Sequence, residues 1–222
     1  MLDCQWLQQL HSYGLLSGSF RPEDEICVLR SYMRHRDSLV KTASTHVLRM
    51  QKALTQMNVQ LHRVISDITG KTGMAIIGAI LAGKRNPSEL AALKDPRIRA
   101  SKETIADALT GDYRPELVFV LAQEMDLYTT YQRKIAACDL EIERHLNTLG
   151  TKGDTLPCST ATPTPRRKRK VGNELSFDMH QHLNLIHGVD FTQIPGISDL
   201  SALTILSEVG LDPSRFQSAK HF

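Results

Sequence analysis

Between Ile26 and Ile68 a single periodicity runs unbroken. Ile26, Leu29, Met33, Arg36, Val40, Ala43, Val47, Met50, Leu54, Met57, Leu61, Val64 and Ile68 follow one another in steps that alternate three and four, over six heptads. Only Arg36 among them is not apolar, and neither Gly nor Pro falls inside the stretch. A period of 3.5 residues is that of a coiled-coil seam. As one straight helix the stretch would reach roughly 65 Å at 1.5 Å per residue. A lone helix cannot bury such a seam, so the stretch requires a partner.

The rest of the 222-residue chain fits an elongated helical protein. Hydrophobic residues make up 41% and charged residues 23%, enough for most of the chain to fold. Aromatics are only 5%, with one Trp, which suits long helices better than a large globular core. No run approaches the roughly 20 apolar residues that span a membrane. Met1-Leu2-Asp3-Cys4 lacks the charged-then-apolar start of a signal peptide. Cys4, Cys27, Cys138 and Cys158 are scattered without a CxxC pair, which argues against zinc and for reduced cytoplasmic thiols.

Charge is uneven. Between Thr151 and Gly172, six cations face one acid, Asp154; this local +5 leaves −2 for the rest of a chain whose net charge is +3. A local basic run points to a polyanionic partner more than a mild overall charge does.

The N-terminal segment reads as a short helix. Trp6, Leu7 and Leu10 recur at helical spacing, and Gly14 and Gly18 end the pattern. Asp3 stands at its start, either as a helix cap or as a metal-binding carboxylate, although one carboxylate cannot hold a catalytic magnesium. Pro22 suits the first turn of the rod, with Glu23, Asp24 and Glu25 on the positive end of the helix dipole. Arg30, Arg34, Lys41, Arg49, Lys52 and Arg63 lie off the seam and read as a solvated face. Arg36 is a register device or reaches an acid on the partner strand.

From Gly70 to Asp112 the spacing predicts a tip of short helices, Met74 to Ala82, Pro87 to Leu93 and Lys102 to Leu109, punctuated by Gly and Pro. Ser101 is the expected cap of the last. Gly70-Lys71-Thr72 has the ending of a phosphate loop, but Ile65 stands where that loop needs its first Gly and no strand precedes it, so a nucleotide site is excluded. Lys71, Lys84, Arg85, Arg97 and Arg99 give the tip a basic character that permits a nucleic-acid contact. Pro115 to Leu149 is the partner helix. Leu117, Leu121, Tyr128, Tyr131, Ile135, Cys138, Ile142 and Leu149 form one seam, interrupted by Glu124 and His145. Val118, Leu121, Met125, Tyr128, Ile135, Ile142, Leu146 and Leu149 form another, so the apolar face is broad. It can fold back antiparallel on the rod, or the rod can self-associate between chains.

The fold class expected is therefore all-α: a long antiparallel coiled-coil arm over 21–150 with a small helical tip at 70–112. The flexible linker 151–174 carries Arg166, Arg167, Lys168, Arg169 and Lys170, which read as a solvated run, a nuclear import tag or a phosphate-neutralising patch. Beyond it, Ile194-Pro195-Gly196-Ile197-Ser198-Asp199 separates a helix ending near Gly188 from one starting near Asp199. That is the pattern of a helix-hairpin-helix, in which hairpin amides and the second helix's N-terminus hold a backbone phosphate. Gly196, Ile197 and Ser198 form the turn, with Ser198 in place of the usual second glycine; Ala202 allows close helix packing. An ordinary helix-turn-helix packing unit is the competing reading. The unit at 175–222 looks incomplete.

Several segments together resemble the transposases of the insertion sequence 110 family. Asp3-Cys4-Gln5-Trp6-Leu7-Gln8-Gln9-Leu10-His11 with Gly14-Leu15-Leu16 and Ser19-Phe20 resembles the end of that family's RuvC-like domain. Thr69-Gly70-Lys71-Thr72-Gly73, Ala79-Ile80-Leu81-Ala82-Gly83 and Leu109-Thr110-Gly111-Asp112-Tyr113-Arg114 are similar to its middle region. So are Gly188-Val189-Asp190-Phe191-Thr192-Gln193-Ile194 and the terminal Phe216-Gln217-Ser218-Ala219-Lys220-His221-Phe222. The resemblance implies RNA-guided DNA recombination by a multimer around a structured bridge RNA and two DNAs, in a bacterial cytoplasm with no membrane role. It implies a tetrad of acids binding Mg2+ and a serine nucleophile. Asp3 matches the last acid, and residues 1–20 would be the remnant of the RuvC-like domain. The other three acids would precede Met1 and the serine would follow Phe222. The expectation is thus a transposase truncated at both ends, with DNA, bridge RNA and further copies of itself, joined through the arm, as partners. The alternatives are a non-catalytic nucleic-acid-binding protein and a structural coiled-coil protein.

Overall fold

A computed structural model of the protein describes residues 2–16, 21–150, 174–177 and 194–210 and the single positions 179, 182, 186, 191, 216 and 218. Among the described residues it is all-helical and has eight helices: α1 (Leu2–Ser12), α2 (Asp24–Gln56), α3 (Leu61–Val64), α4 (Lys71–Leu81), α5 (Pro87–Ala91), α6 (Lys102–Ala108), α7 (Pro115–Gly150) and α8 (Asp199–Val209). The chain divides into two compact units. One comprises Met1–Met33, Arg144–Lys168 and Asp178–Phe222, the other Arg34–Glu143 and Arg169–Phe177.

The first long helix is shorter than its heptads. The pattern predicts one helix through Ile68, but α2 ends at Gln56. Asn58 takes the left-handed conformation, φ 59°. Its amide donates to the Thr55 carbonyl and the Val59 amide to the Leu54 carbonyl, both at 2.9 Å. These two bonds make a Schellman termination, with Asn in the position usually held by Gly. Val59 and Leu54, the apolar pair that accompanies such an ending, are both fully buried.

The bend then holds the tip. The Met57 carbonyl accepts from the Asp112 amide at 2.8 Å, and the Gln60 amide donates to the Ala108 carbonyl at 2.8 Å. A Cβ at Gly111 would overlap the Met57 carbonyl, so glycine there permits the two backbones to meet. Gly73 has the same role against the Ile68 backbone. The three predicted tip helices are present as α4, α5 and α6, with ends displaced by up to three residues. Ser101 caps α6 by accepting from the Thr104 amide at 3.1 Å, and Asn86 caps α5 by accepting from Ser88 at 3.0 Å. One core joins Met50, Leu54, Met57 and Val59 to Leu61, Ile68, Ile76, Ile77, Ile80, Leu90, Ile105, Leu109 and Leu121.

Within the same unit α2 and α7 run antiparallel, since Arg36 meets Asp139 and His46 meets Glu124. Leu121, Ile135, Cys138 and Ile142 are buried from α7, with Tyr128 and Tyr131 half-buried. The buried face of α2 includes His46 and Ala53 beside the heptad positions, so it is wider than a narrow stripe.

In the other unit, the side chain of Arg30 reaches the end of α8. Its guanidinium donates to the Ser207 carbonyl at 3.0 Å and the Glu208 carbonyl at 2.7 Å, and lies 3.1 Å from the Glu208 carboxylate. A cation there satisfies carbonyls that a helix end leaves open and complements its dipole. His145 donates to the Glu25 carbonyl at 2.7 Å and packs edge-on against Tyr32.

The close approach at Gly111 sets a test. Gly111→Ala is expected to destabilise the protein by about 1–3 kcal/mol, because the backbones must separate. Gly78→Ala in α4, where an added Cβ meets nothing within 4 Å, is expected to be neutral or to stabilise by about 0.5–1 kcal/mol through helix propensity. Urea midpoints followed by circular dichroism check both signs.

Candidate nucleic-acid interface

The hairpin turn forms from its own residues. The Ile197 amide donates to the Ile194 carbonyl at 3.1 Å. Pro195 and Gly196 occupy the two central positions, and Gly196 has φ 94°. Proline followed by a residue of positive φ is the signature of a type II turn. No atom would meet a Cβ at Gly196, so the backbone angle, rather than crowding, requires glycine there. Ser198 is extended, with φ −86° and ψ 165°, and its hydroxyl accepts from the Ser201 amide at 3.2 Å. The position of the second glycine therefore needs no special backbone freedom, and serine contributes an N-cap instead. Among the described residues neither the Gly196 amide nor the Ser198 amide has an acceptor.

Two donors without acceptors, on exposed residues at a helix start, suit a phosphate oxygen. Asp199 places a carboxylate in the first turn of α8 and acts against an anion at the same end. Ala202, Leu203 and Leu206 are buried behind the turn. The helix expected to end near Gly188 falls in a stretch where only single positions are described. Arg166, Arg167, Lys168, Arg169 and Lys170 lie outside the described residues.

Asp3 is exposed in the first turn of α1. Among the described residues no three His, Cys, Asp or Glu side chains come together to hold a metal ion. One exposed carboxylate does not fit a Mg2+ site, which takes several oxygen ligands. No helix of the described residues is long and apolar enough to cross a membrane.

The polar interruptions of the helical seams resolve into pairs. Arg36 Nε lies 2.5 Å from Asp139 Oδ1, with both side chains about 95% buried. Asp139 Oδ2 accepts from the Ser176 amide at 3.1 Å, and the Arg36 guanidinium reaches the Glu174 carbonyl at 3.4 Å. Of the two expectations for Arg36, contact with an acid on the partner helix is the one observed. His46 Nδ1 donates to Glu124 at 2.6 Å and stacks on Tyr131 with ring centres 5.2 Å apart. Burial pushes the Cys138 thiol up, and Asp139 beside it adds to this, so this cysteine is not an activated nucleophile.

Two anchors were not legible as such. Arg30 reads in sequence as a solvated cation, and nothing local marks it as the cap of a helix far along the chain. Asp139 sits one place off the α7 seam, and the only signal for it was the need of Arg36 for an acid. Searches of protein-family models, curated proteins and solved structures found no match to this chain.

The Arg36–Asp139 pair yields a stability test. Asp139→Ala leaves a buried guanidinium without its carboxylate and is expected to cost about 3–5 kcal/mol in urea unfolding. Replacing both partners, Arg36→Met with Asp139→Leu, is expected to recover most of that loss.

Proposed function

We propose that this chain is part of a DNA transposase of the kind it resembles, the insertion sequence 110 family, and that its own contribution is nucleic-acid binding and assembly. The observation that carries the binding half is the Pro195-Gly196 turn, with two uncommitted amides opening into α8. Sequence resemblance alone supports the transposase half. In this reading the turn holds one backbone phosphate, and Arg166 to Lys170 neutralise others. Phosphate contacts position a protein on nucleic acid without reading sequence. DNA and a structured guide RNA are the partners, with Mg2+ belonging to an acid set of which this chain supplies Asp3.

A second reading is a helical assembly protein with no nucleic-acid role. It is favoured by Asp199 at the mouth of the turn, since a carboxylate there repels phosphate. Binding of the 222-residue chain to a duplex of about 30 base pairs, measured by fluorescence anisotropy across a salt series, decides between them. Neutralising Arg166 to Lys170 with glutamine is expected to make the log–log salt slope shallower by about 4.5, at roughly 0.9 per phosphate. Gly196→Val is expected to weaken binding several-fold by disallowing the turn. Absence of salt-dependent binding would leave the assembly reading.

The 222 residues carry Asp3 alone from the acids and serine the family uses. Incubated with Mg2+ and paired DNA substrates, they are expected to give no strand cleavage or joining on a sequencing gel.

A further inference from the structure

The tip carries a group of cations that the fold presents but does not use. The Asp95 amide donates to the Thr72 hydroxyl at 2.9 Å, and Thr72 is buried at the start of α4. This bond draws the loop 94–101 against the beginning of α4. The loop is built rather than loose. The Ile98 amide donates to the Asp95 carbonyl at 3.1 Å, and Ile98 packs on the core while Arg97 and Arg99, on either side of it, are exposed. Lys71, beside Thr72 at the start of α4, and Lys102, directly after the loop at the start of α6, are exposed, and Lys94 at the loop's beginning is half-buried.

None of these five cations has an ion pair among the described residues, although three acids are close in the chain. The acids are turned to other duties. Asp67 accepts from the amide and hydroxyl of Thr69, and Asp95 accepts from the Arg97 amide at 2.9 Å. Glu103 is held below the usual carboxylate range by its own amide first and by the Ser101 hydroxyl second; Lys102 and Lys94 add little. Elsewhere in the tip, Arg85 donates to the Ile80 and Lys84 carbonyls and lies over the Tyr113 ring at 4.9 Å. Arg85 thus leaves the basic set expected from sequence, Lys84 lies past the opposite end of α4 from Lys71, and Lys94 and Lys102 join the set.

We infer that this patch binds the sugar–phosphate backbone of a nucleic acid. The protein backbone that carries these cations is already held, so meeting phosphate orders the side chains alone. Each phosphate they neutralise releases counterions, which favours binding at low salt. A lipid surface fits less well, because it asks for apolar side chains beside the cations, and Leu93, 38% exposed, is the one large exposed hydrophobic of the tip. The inference stands on the tip alone and does not depend on the hairpin or the linker.

The test uses the full chain with two probes, a duplex DNA of about 30 base pairs and an RNA hairpin. The variant Lys71→Gln, Arg97→Gln, Arg99→Gln, Lys102→Gln is expected to lose about tenfold or more in affinity at low salt. Its log–log salt slope on duplex DNA is expected to be shallower by up to about 3.6. Lys84→Gln, at the far end of α4, is expected to stay within about twofold, as one peripheral charge should. If the fourfold variant loses helicity, the pair Arg97→Gln, Arg99→Gln is read instead, for about half that slope change. A larger loss on one probe assigns the patch to DNA or to RNA. Unchanged affinity and slope on both probes overturn the inference, and so does displacement by polyglutamate as effective as by nucleic acid of equal charge. Loss of binding only when Arg166 to Lys170 are neutralised overturns the tip and keeps the linker; loss only in the tip variant does the reverse.

Discussion

Helix α2 has to stop, and two hydrogen bonds around Asn58 stop it. A helix that ran on through Ile68 would carry Leu61 and Ile68 outward along the rod. The left-handed residue turns the chain back at Met57 instead. The Met57 carbonyl, left open by the ending of the helix, then becomes the acceptor for Asp112. Gly111 lets that contact form, and α6 comes in beside it through Gln60 and Ala108. The tip core collects around this turn, so the termination decides which side chains share an interior.

The long helices face a different demand. A wide apolar face buries polar side chains along with it, and each of those must find a partner or cost stability. Arg36 and Asp139 satisfy one another, and the leftover carboxylate oxygen takes the Ser176 amide. His46 and Glu124 do the same, with Arg49 3.6 Å from the second carboxylate oxygen. His145 finds a backbone carbonyl. Each apparent fault in the heptads is thus matched by a polar group off the partner's seam or by a backbone carbonyl. A polar pair that fits in one arrangement and is unpaired in others favours that arrangement over its neighbours.

Much of this was legible in the chain. Alternating three-and-four spacing with no Gly or Pro announced two long helices, and Gly and Pro marked the boundaries of the tip helices. Ser101 and Pro195-Gly196 declared their local geometry because caps and turns depend on few neighbours. The end of α2 was hidden because the heptads continue past it and its marker is Asn rather than Gly. A periodic pattern records which positions are buried, and Leu61 and Ile68 are buried on either account. Arg30 was misread for a related reason: a cation caps a helix 177 residues away through tertiary structure alone. Of the nucleic-acid residues, the turn at Gly196 to Ser198 was visible in advance. The basic run and most of the stretch expected to form the preceding helix fall outside the described residues, and the unpaired state of the tip cations required knowing where Asp67 and Asp95 point.

The sixteen buried side chains of the tip core all come from the 72 residues between Met50 and Leu121. Every contact among them therefore closes a loop shorter than the 103 residues between Arg36 and Asp139, at a lower cost in chain entropy. That makes this segment the natural place for folding to begin, with α2 and α7 lengthening outward from it turn by turn. It also separates two kinds of damage. Fraying at the far ends of the long helices can be repaired by rezipping, whereas a slip at Asn58 or Gly111 removes the template on which the zipper starts.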